Sequence, residues 1–152
     1  MRLQWNSEYS VSIDEIDNQH KELFARINDL DSAIKKGKSI GELTKVIDFL
    51  EQYIIYHFGT EEKTMVDHGY PGFQLHKKKH LWFNNEFAAM KGKLENEGPT
   101  PDLIMLVNHL LISWFSNHIR TIDRLLGSFI RGTRTDQGRA EAADGTKQTL
   151  HE

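Results

Sequence analysis

Residues 57–80 read His57-Phe58-Gly59-Thr60-Glu61-Glu62-Lys63-Thr64-Met65-Val66-Asp67-His68-Gly69-Tyr70-Pro71-Gly72-Phe73-Gln74-Leu75-His76-Lys77-Lys78-Lys79-His80. The run His68-Gly69-Tyr70-Pro71-Gly72 stops one helical pattern and starts another. On each side of it two metal-ligand side chains stand four residues apart, His57 with Glu61 and His76 with His80. At that spacing both members of a pair leave the helix on one face, a turn apart. A short connection folds the two helices back antiparallel.

Outward from this hairpin, four segments carry apolar residues at the three-and-four spacing of an amphipathic helix. The first runs from Ser12 or Asp14 to Lys36, with Ile13, Ile16, Leu23, Phe24, Ile27, Leu30 and Ile34 on its stripe and Gly37 and Gly41 at its end. Ser12 and Glu15 have the spacing of a capping box. The second spans Gly41 to Val66, with Leu43, Val46, Ile47, Leu50, Ile54, Phe58 and Met65 inward. The third starts near Gly72, presents Phe73, Phe83, Phe87, Met90 and Leu94, and ends at Asn96-Glu97-Gly98-Pro99. Pro101 suits the first turn of a fourth, whose stripe is Leu103, Leu106, Val107, Leu110, Trp114, Ile122 and Leu125.

These observations predict an all-α chain: an antiparallel up-down-up-down four-helix bundle over residues 1–131, with an extended N-terminal arm over residues 1–11 whose Trp5, Tyr9 and Val11 can pack on the bundle. Residues 132–152 turn polar, with Gly132, Gly138 and Gly145, and read as a flexible tail with too little apolar surface to offset its ordering entropy.

Composition removes several function classes. The 152 residues include no cysteine, so disulfides, iron–sulfur clusters, thiolate zinc sites and cysteine nucleophiles are excluded, and any metal must use imidazole or oxygen ligands. A net charge of -3 gives no footprint for nucleic acid, and Lys77-Lys78-Lys79 reads as the solvated side of a helix. No apolar run approaches the roughly 20 residues of a membrane span, and the start lacks an apolar signal region. The expected location is the cytoplasm, without membrane insertion, and the stripe-only apolar pattern suits a monomer.

The histidines carry the chemistry. His20, His57, His76, His80 and His118 all fall on the inward stripes, drawn from all four helices. A single core histidine is ordinarily satisfied by a carbonyl or carboxylate; five together call for another partner. Their levels agree as well. His20 lies about a third of the way along the first helix, where the late His57 and Glu61 of the second meet it, and the early His76 and His80 of the third meet the late His118 of the fourth. Asp123 is the weak member by spacing. Five residues from His118 is about 140° around an ideal helix, at about 100° per residue, so periodicity places Ile122 inward and Asp123 needs a local distortion. His109, about 180° from His118, His68 in a turn and His151 in the tail read as non-ligands, and Glu62 as a surface charge.

In chain order, His20, His57 with Glu61, His76 with His80, and His118 with Asp123 resemble the seven-ligand signature of the hemerythrins. Ile16-Asp17-Asn18-Gln19-His20 and Asn117-His118-Ile119 support the likeness, which covers about residues 5 to 130. The resemblance implies two iron ions (Fe2+/Fe3+) bridged by Glu61, Asp123 and an oxo or hydroxo group. It assigns His76, His80 and His118 to one iron, and His20 and His57 to the other, which keeps an open position for dioxygen. It lines that position with Trp114, Phe115 and Ile119; where the family commonly carries leucine this chain has Phe115, a larger ring that narrows the pocket.

The expected function is reversible dioxygen binding for carriage, storage or delivery, with an oxygen-consuming enzyme as a candidate recipient. The chain is read as a binding protein rather than an enzyme, with no catalytic residue. Di-iron bundles that cleave dioxygen use Glu-x-x-His on two helices. Here the residues three before the five core histidines are Asp17, Ile54, Phe73, Lys77 and Phe115. Neutral imidazoles hold Fe(II) and do little for highly oxidised iron. Zinc, usually four-coordinate, gains little from seven ligands, and hydrolase motifs are absent. The alternatives are an oxygen or redox sensing module, or a di-iron enzyme acting on peroxide or nitric oxide.

Overall fold

Ser39 and Glu42 form a reciprocal pair at a helix start: the Ser39 hydroxyl accepts from Glu42 N–H (3.2 Å) and the Glu42 carboxylate accepts from Ser39 N–H (3.0 Å). This capping box starts the helix at Ile40, one residue before the position expected from Gly41. The computed structural model describes residues 2–133. Four helices follow one another: α1 (Asp14–Lys35), α2 (Ile40–Asp67), α3 (Phe73–Glu97) and α4 (101–133). The helix α4 begins with Pro101 in its first turn and the Thr100 hydroxyl accepting from Leu103 N–H. It runs two residues past the expected domain end at 131; residues 134–152 of the expected tail lie outside the described residues.

The cross-helix contacts establish the up-and-down order. Gln19 meets Thr60 and Arg26 meets the Phe49 carbonyl, so α1 and α2 run opposite ways. Phe58 stacks on His80 while Lys91 reaches Asp48 and Glu51, so α2 and α3 do too. Trp82 faces Trp114 and His76 faces His118, which reverses α4 against α3. No described helix is long and apolar enough to cross a membrane.

The expected cap at Ser12 is not formed. Ser12 has φ 60, in the left-handed region, and stands outside the helix, while Ile13 occupies the cap position without a side-chain bond. Asp17 ties the helix start instead, accepting from Val11 N–H (2.8 Å) and the Ser10 hydroxyl (2.6 Å). The cause is the arm. Val11 is buried with its carbonyl so close to Gly127 that a Cβ there would meet it at 2.1 Å, and the chain bends at Ser12 to enter α1. Further up the arm, Asn28 bonds both the N–H and the carbonyl of Leu3, and Tyr9 sets its ring edge-on to Phe24. The arm includes one short 3-10 turn, Ser7–Tyr9.

The apolar stripes of α1, α2 and α3 face inward as expected, but α4 loses its phase. It contains two π-helical segments, Asn108–Trp114 and Ile119–Asp123. Each closes its turn one residue later than an α-helix and so delays the side chains that follow. Leu125, expected inward, is 61% exposed, and Leu126 and Ile130 are fully buried in its place. The core falls into two apolar clusters. A long one fills most of the bundle, and a small one of Val11, Ile13, Ile16, Met65, Leu126 and Ile130 closes the end beneath the arm.

Candidate metal centre

A layer of buried histidines and carboxylates borders the long apolar cluster, through Phe58 and Phe115. His20 from α1, His57 and Glu61 from α2, His76 and His80 from α3, and His118 and Asp123 from α4 converge there, each at most 3% exposed. The four-residue spacings on α2 and α3 do what helical geometry demands. Asp123 joins because Ile119–Asp123 is π-helical and Arg124 N–H reaches back five residues to the Ile119 carbonyl. Wider turns of this kind bring positions five apart back to one face, the local distortion that spacing alone required.

The donors sort into two groups, within each of which all ligand atoms lie within 4.8 Å of one another. One holds His76, His80 and His118 with Glu61 and Asp123; the other holds His20 and His57 with the same two carboxylates. Each carboxylate divides its oxygens between them. Glu61 Oε1 lies 3.0 Å from His57 Nε2 and 3.4 Å from His20 Nε2, while Oε2 lies 3.1 Å from His80 and 3.3 Å from His76. Asp123 Oδ1 faces His118 (3.1 Å) and His76 (3.0 Å), and Oδ2 faces His20 (3.1 Å).

These contacts are short, yet none is aligned as a hydrogen bond. All five Nε2 atoms and all four carboxylate oxygens are buried without a hydrogen-bond partner. Unmade bonds in a dry interior cost about 1–3 kcal/mol each, more for charged groups. Atoms that approach without pointing at one another point at something between them. Ligands about 2.1 Å from a metal ion and at right angles around it are about 3 Å apart, which matches the spacing here. The residues therefore fit a pair of cations.

The electrostatics agree. Burial alone would push both carboxyls up. For Glu61, the electrostatic attraction of His57 and the imidazoles of His20, His57 and His76 set against its oxygens outweigh burial and hold the group well below the carboxylate range. For Asp123, burial and the neighbouring Glu61 charge are likewise outweighed by His118 and His20, and its carboxyl stays ionised. Burial lowers His57 and keeps it neutral. His20 and His76 are also opposed by burial, yet the attraction of Asp123 and Glu61 raises each to about 9. Two buried anions thus demand positive charge, which protons on His20 and His76 supply when no metal ion does.

Around the donors, Phe58 stacks on His80 (3.8 Å between centroids) and Trp114 stacks on His118 (4.6 Å). Of the three expected pocket residues, Phe115 and Ile119 are fully buried, with Phe115 beside His57 at 6.4 Å. Trp114 covers His118, on the three-histidine side. Two residues that the sequence does not single out as site residues touch the centre from behind: Gln19 Oε1 lies 2.7 Å from His57 Nδ1, and Thr60 bonds Gln19. A buried glutamine next to a ligand histidine, in Gln19-His20, is the one trace the sequence holds of them. His68 and His109 are exposed and Glu62 is half-buried, apart from the cluster, as expected; His151 lies outside the described residues.

Comparison with known proteins gives a consistent answer. The family model described as hemerythrin HHE cation binding domain matches residues 11–130. A bacteriohemerythrin of Pseudomonas aeruginosa is 34% identical over 80% of this chain and 76% of its own. One of Methylococcus capsulatus is 28% identical over 80% and 90%, and a myohemerythrin of Theromyzon tessulatum is 29% identical over 70% and 83%. A crystal structure of wild-type hemerythrin superposes with a TM-score of 0.71 at 29% identity, covering 83% of this chain and 95% of that one.

Proposed function

The chain belongs to the hemerythrin family, and from that premise we propose that it binds dioxygen reversibly at two iron ions, carrying, storing or delivering the gas without transforming it. One observation carries the reading: each carboxylate offers one oxygen to the three-histidine group and the other to the two-histidine group. In this assignment His76, His80 and His118 hold one ion and His20 and His57 the other. Glu61 and Asp123, which belong to both donor groups, would be shared between the two ions. Such an iron pair would supply the reversible two-electron chemistry that uptake and release of dioxygen need.

The chain's own residues set the limits of that chemistry. The two-histidine group has one imidazole fewer, which leaves room for a small ligand on that ion. Phe115, buried beside His57, keeps the approach dry, and with Ile119 it retards water-assisted oxidation. Five neutral imidazoles against two carboxylates favour Fe(II) and stop short of the donor strength that O–O cleavage needs.

The direct test is to load the protein with iron, reduce it without air, admit dioxygen and then remove it while following the charge-transfer colour. Colour that appears and bleaches over repeated cycles is the expected result. Irreversible oxidation with turnover of peroxide or nitric oxide would replace the carrier reading by an enzymatic one, and a ligand-dependent change in protease access to residues 132–152 would favour a sensor.

A further inference from the structure

Three hydrogen bonds lead from a backbone carbonyl of α2 to the imidazole of His57. The Thr60 hydroxyl donates to the Tyr56 carbonyl (3.1 Å), Gln19 Nε2 donates to Thr60 Oγ1 (3.2 Å), and Gln19 Oε1 lies 2.7 Å from His57 Nδ1. The direction of each bond follows from the one before. A carbonyl can only accept, so Thr60 uses its single hydrogen on Tyr56 and its oxygen is left to accept from Gln19. The amide nitrogen of Gln19 is then committed to Thr60, and the amide oxygen must face His57. An oxygen there requires a proton on Nδ1, and Nε2 is left with a lone pair directed at the site.

We infer that Gln19 and Thr60 are positioning residues that lock His57 in its Nδ1–H tautomer, presenting Nε2 to the metal of the two-histidine group. This rests on reading His57 as a ligand. The lock opposes a specific alternative. His57 Nε2 lies 3.0 Å from Glu61 Oε1, and a proton on Nε2 could turn toward that carboxylate, blocking both the imidazole and one bridging oxygen. Reversing the Gln19 amide would permit that state; the Thr60 bond to Tyr56 holds the amide against it.

His57 stands apart from His20, His76 and His80. The Nδ1 atoms of His20, His76 and His80 are buried without a hydrogen-bond partner, so among these four ligands the built tautomer lock belongs to His57. Its acceptor is also neutral. A carboxylate behind a ligand histidine strengthens the imidazole as a donor and favours the oxidised metal, whereas an amide orients the ring without adding charge. That choice suits an ion that must remain Fe(II) between ligand-binding events.

The test has a metal-free arm and a loaded arm. In the metal-free chain, long-range nitrogen-15 NMR should show His57 Nδ1 protonated, and an unprotonated Nδ1 would overturn the inference whether or not the protein takes up iron. In the iron-loaded chain, Gln19→Leu should release one of its two ions to a chelator about tenfold more readily than wild type, leaving the other unchanged. Gln19→Glu should keep both ions but move the midpoint potential to more negative values and speed autoxidation about tenfold. Thr60→Val should reproduce part of the Gln19→Leu effect, with Thr60→Ser restoring wild-type behaviour. If Gln19→Leu weakens both ions equally, or Gln19→Glu leaves the potential unmoved, Gln19 is only packing. Failure of wild type to hold two irons while Nδ1 is protonated would reject the iron assignment and keep the lock.

Discussion

The two sides of the centre share their carboxylates but not their histidines. The α3–α4 side gathers three imidazoles, with aromatic rings laid on His80 and His118. The α1–α2 side gathers two, one of them held from behind by Gln19, with Phe115 beside it. In the proposed assignment one side would hold its ion with three imidazoles and the other with two, leaving room there for a small ligand. The inequality lies in the helices themselves: α3 supplies a histidine pair at four-residue spacing, whereas α2 spends its second position on Glu61, which both sides need.

Removing what the sides share should have the largest effect. Glu61→Ala leaves four imidazoles without the carboxylate they face, so the protein should retain fewer than two irons per chain by metal analysis, and full retention would show the bridge to be wrongly placed. A change confined to the approach should separate the sides. Phe115→Gln places polar atoms near His57 and should speed autoxidation about tenfold with both irons kept. Trp114→Gln, on His118, should change the rate much less. Equal acceleration by both would mean that the dry wall is not specific to the two-histidine side.

Protonation treats the sides alike, because each holds one histidine raised to about 9, His20 on one and His76 on the other. Their unfolded value is about 6.5. A raised folded value stabilises fully below about 6.5 and is lost as pH rises through about 9. Burial lowers His57, whose contribution is instead lost as pH falls below about 6.5. Metal-free protein should therefore melt several degrees lower at pH 9 than at pH 6.5, while iron uptake strengthens over the same interval as the two protons become easier to displace. A melting temperature that is flat or rising across this window would contradict the charge balance. The smallest effect is expected from deleting the exposed Thr121, which shortens the His118–Asp123 spacing to the four residues of an ordinary α-turn. The carboxylate should stay inward and iron content should not change; loss of iron would show that the π-helical turn itself is required.

Much of the molecule is legible in the sequence because it obeys simple periods. The stripes of α1, α2 and α3, the hairpin of residues 57–80 and the five inward histidines follow from a repeat of 3.6 residues, and chain reversal places them at one level. The register of α4 is not legible, since nothing in Asn108–Trp114 or Ile119–Asp123 signals a wider turn. Spacing alone therefore leaves Asp123 off the inner face and puts Leu125 inward where Leu126 belongs. The start of α1 misleads for a different reason. Ser12 and Glu15 have the local pattern of a cap, but the burial of Val11 against Gly127 bends the arm and gives the task to Asp17. The Gln19–Thr60 relay depends on side chains of two helices meeting at particular rotamers, and no period encodes that.

The decisive measurement is anomalous diffraction at the iron edge from crystals of the iron-loaded chain. Two peaks of equal occupancy are expected, one within ligand distance of His76, His80 and His118 and the other of His20 and His57, with Glu61 and Asp123 reaching both. A single peak, or a pair outside these seven side chains, would contradict the shared-carboxylate centre.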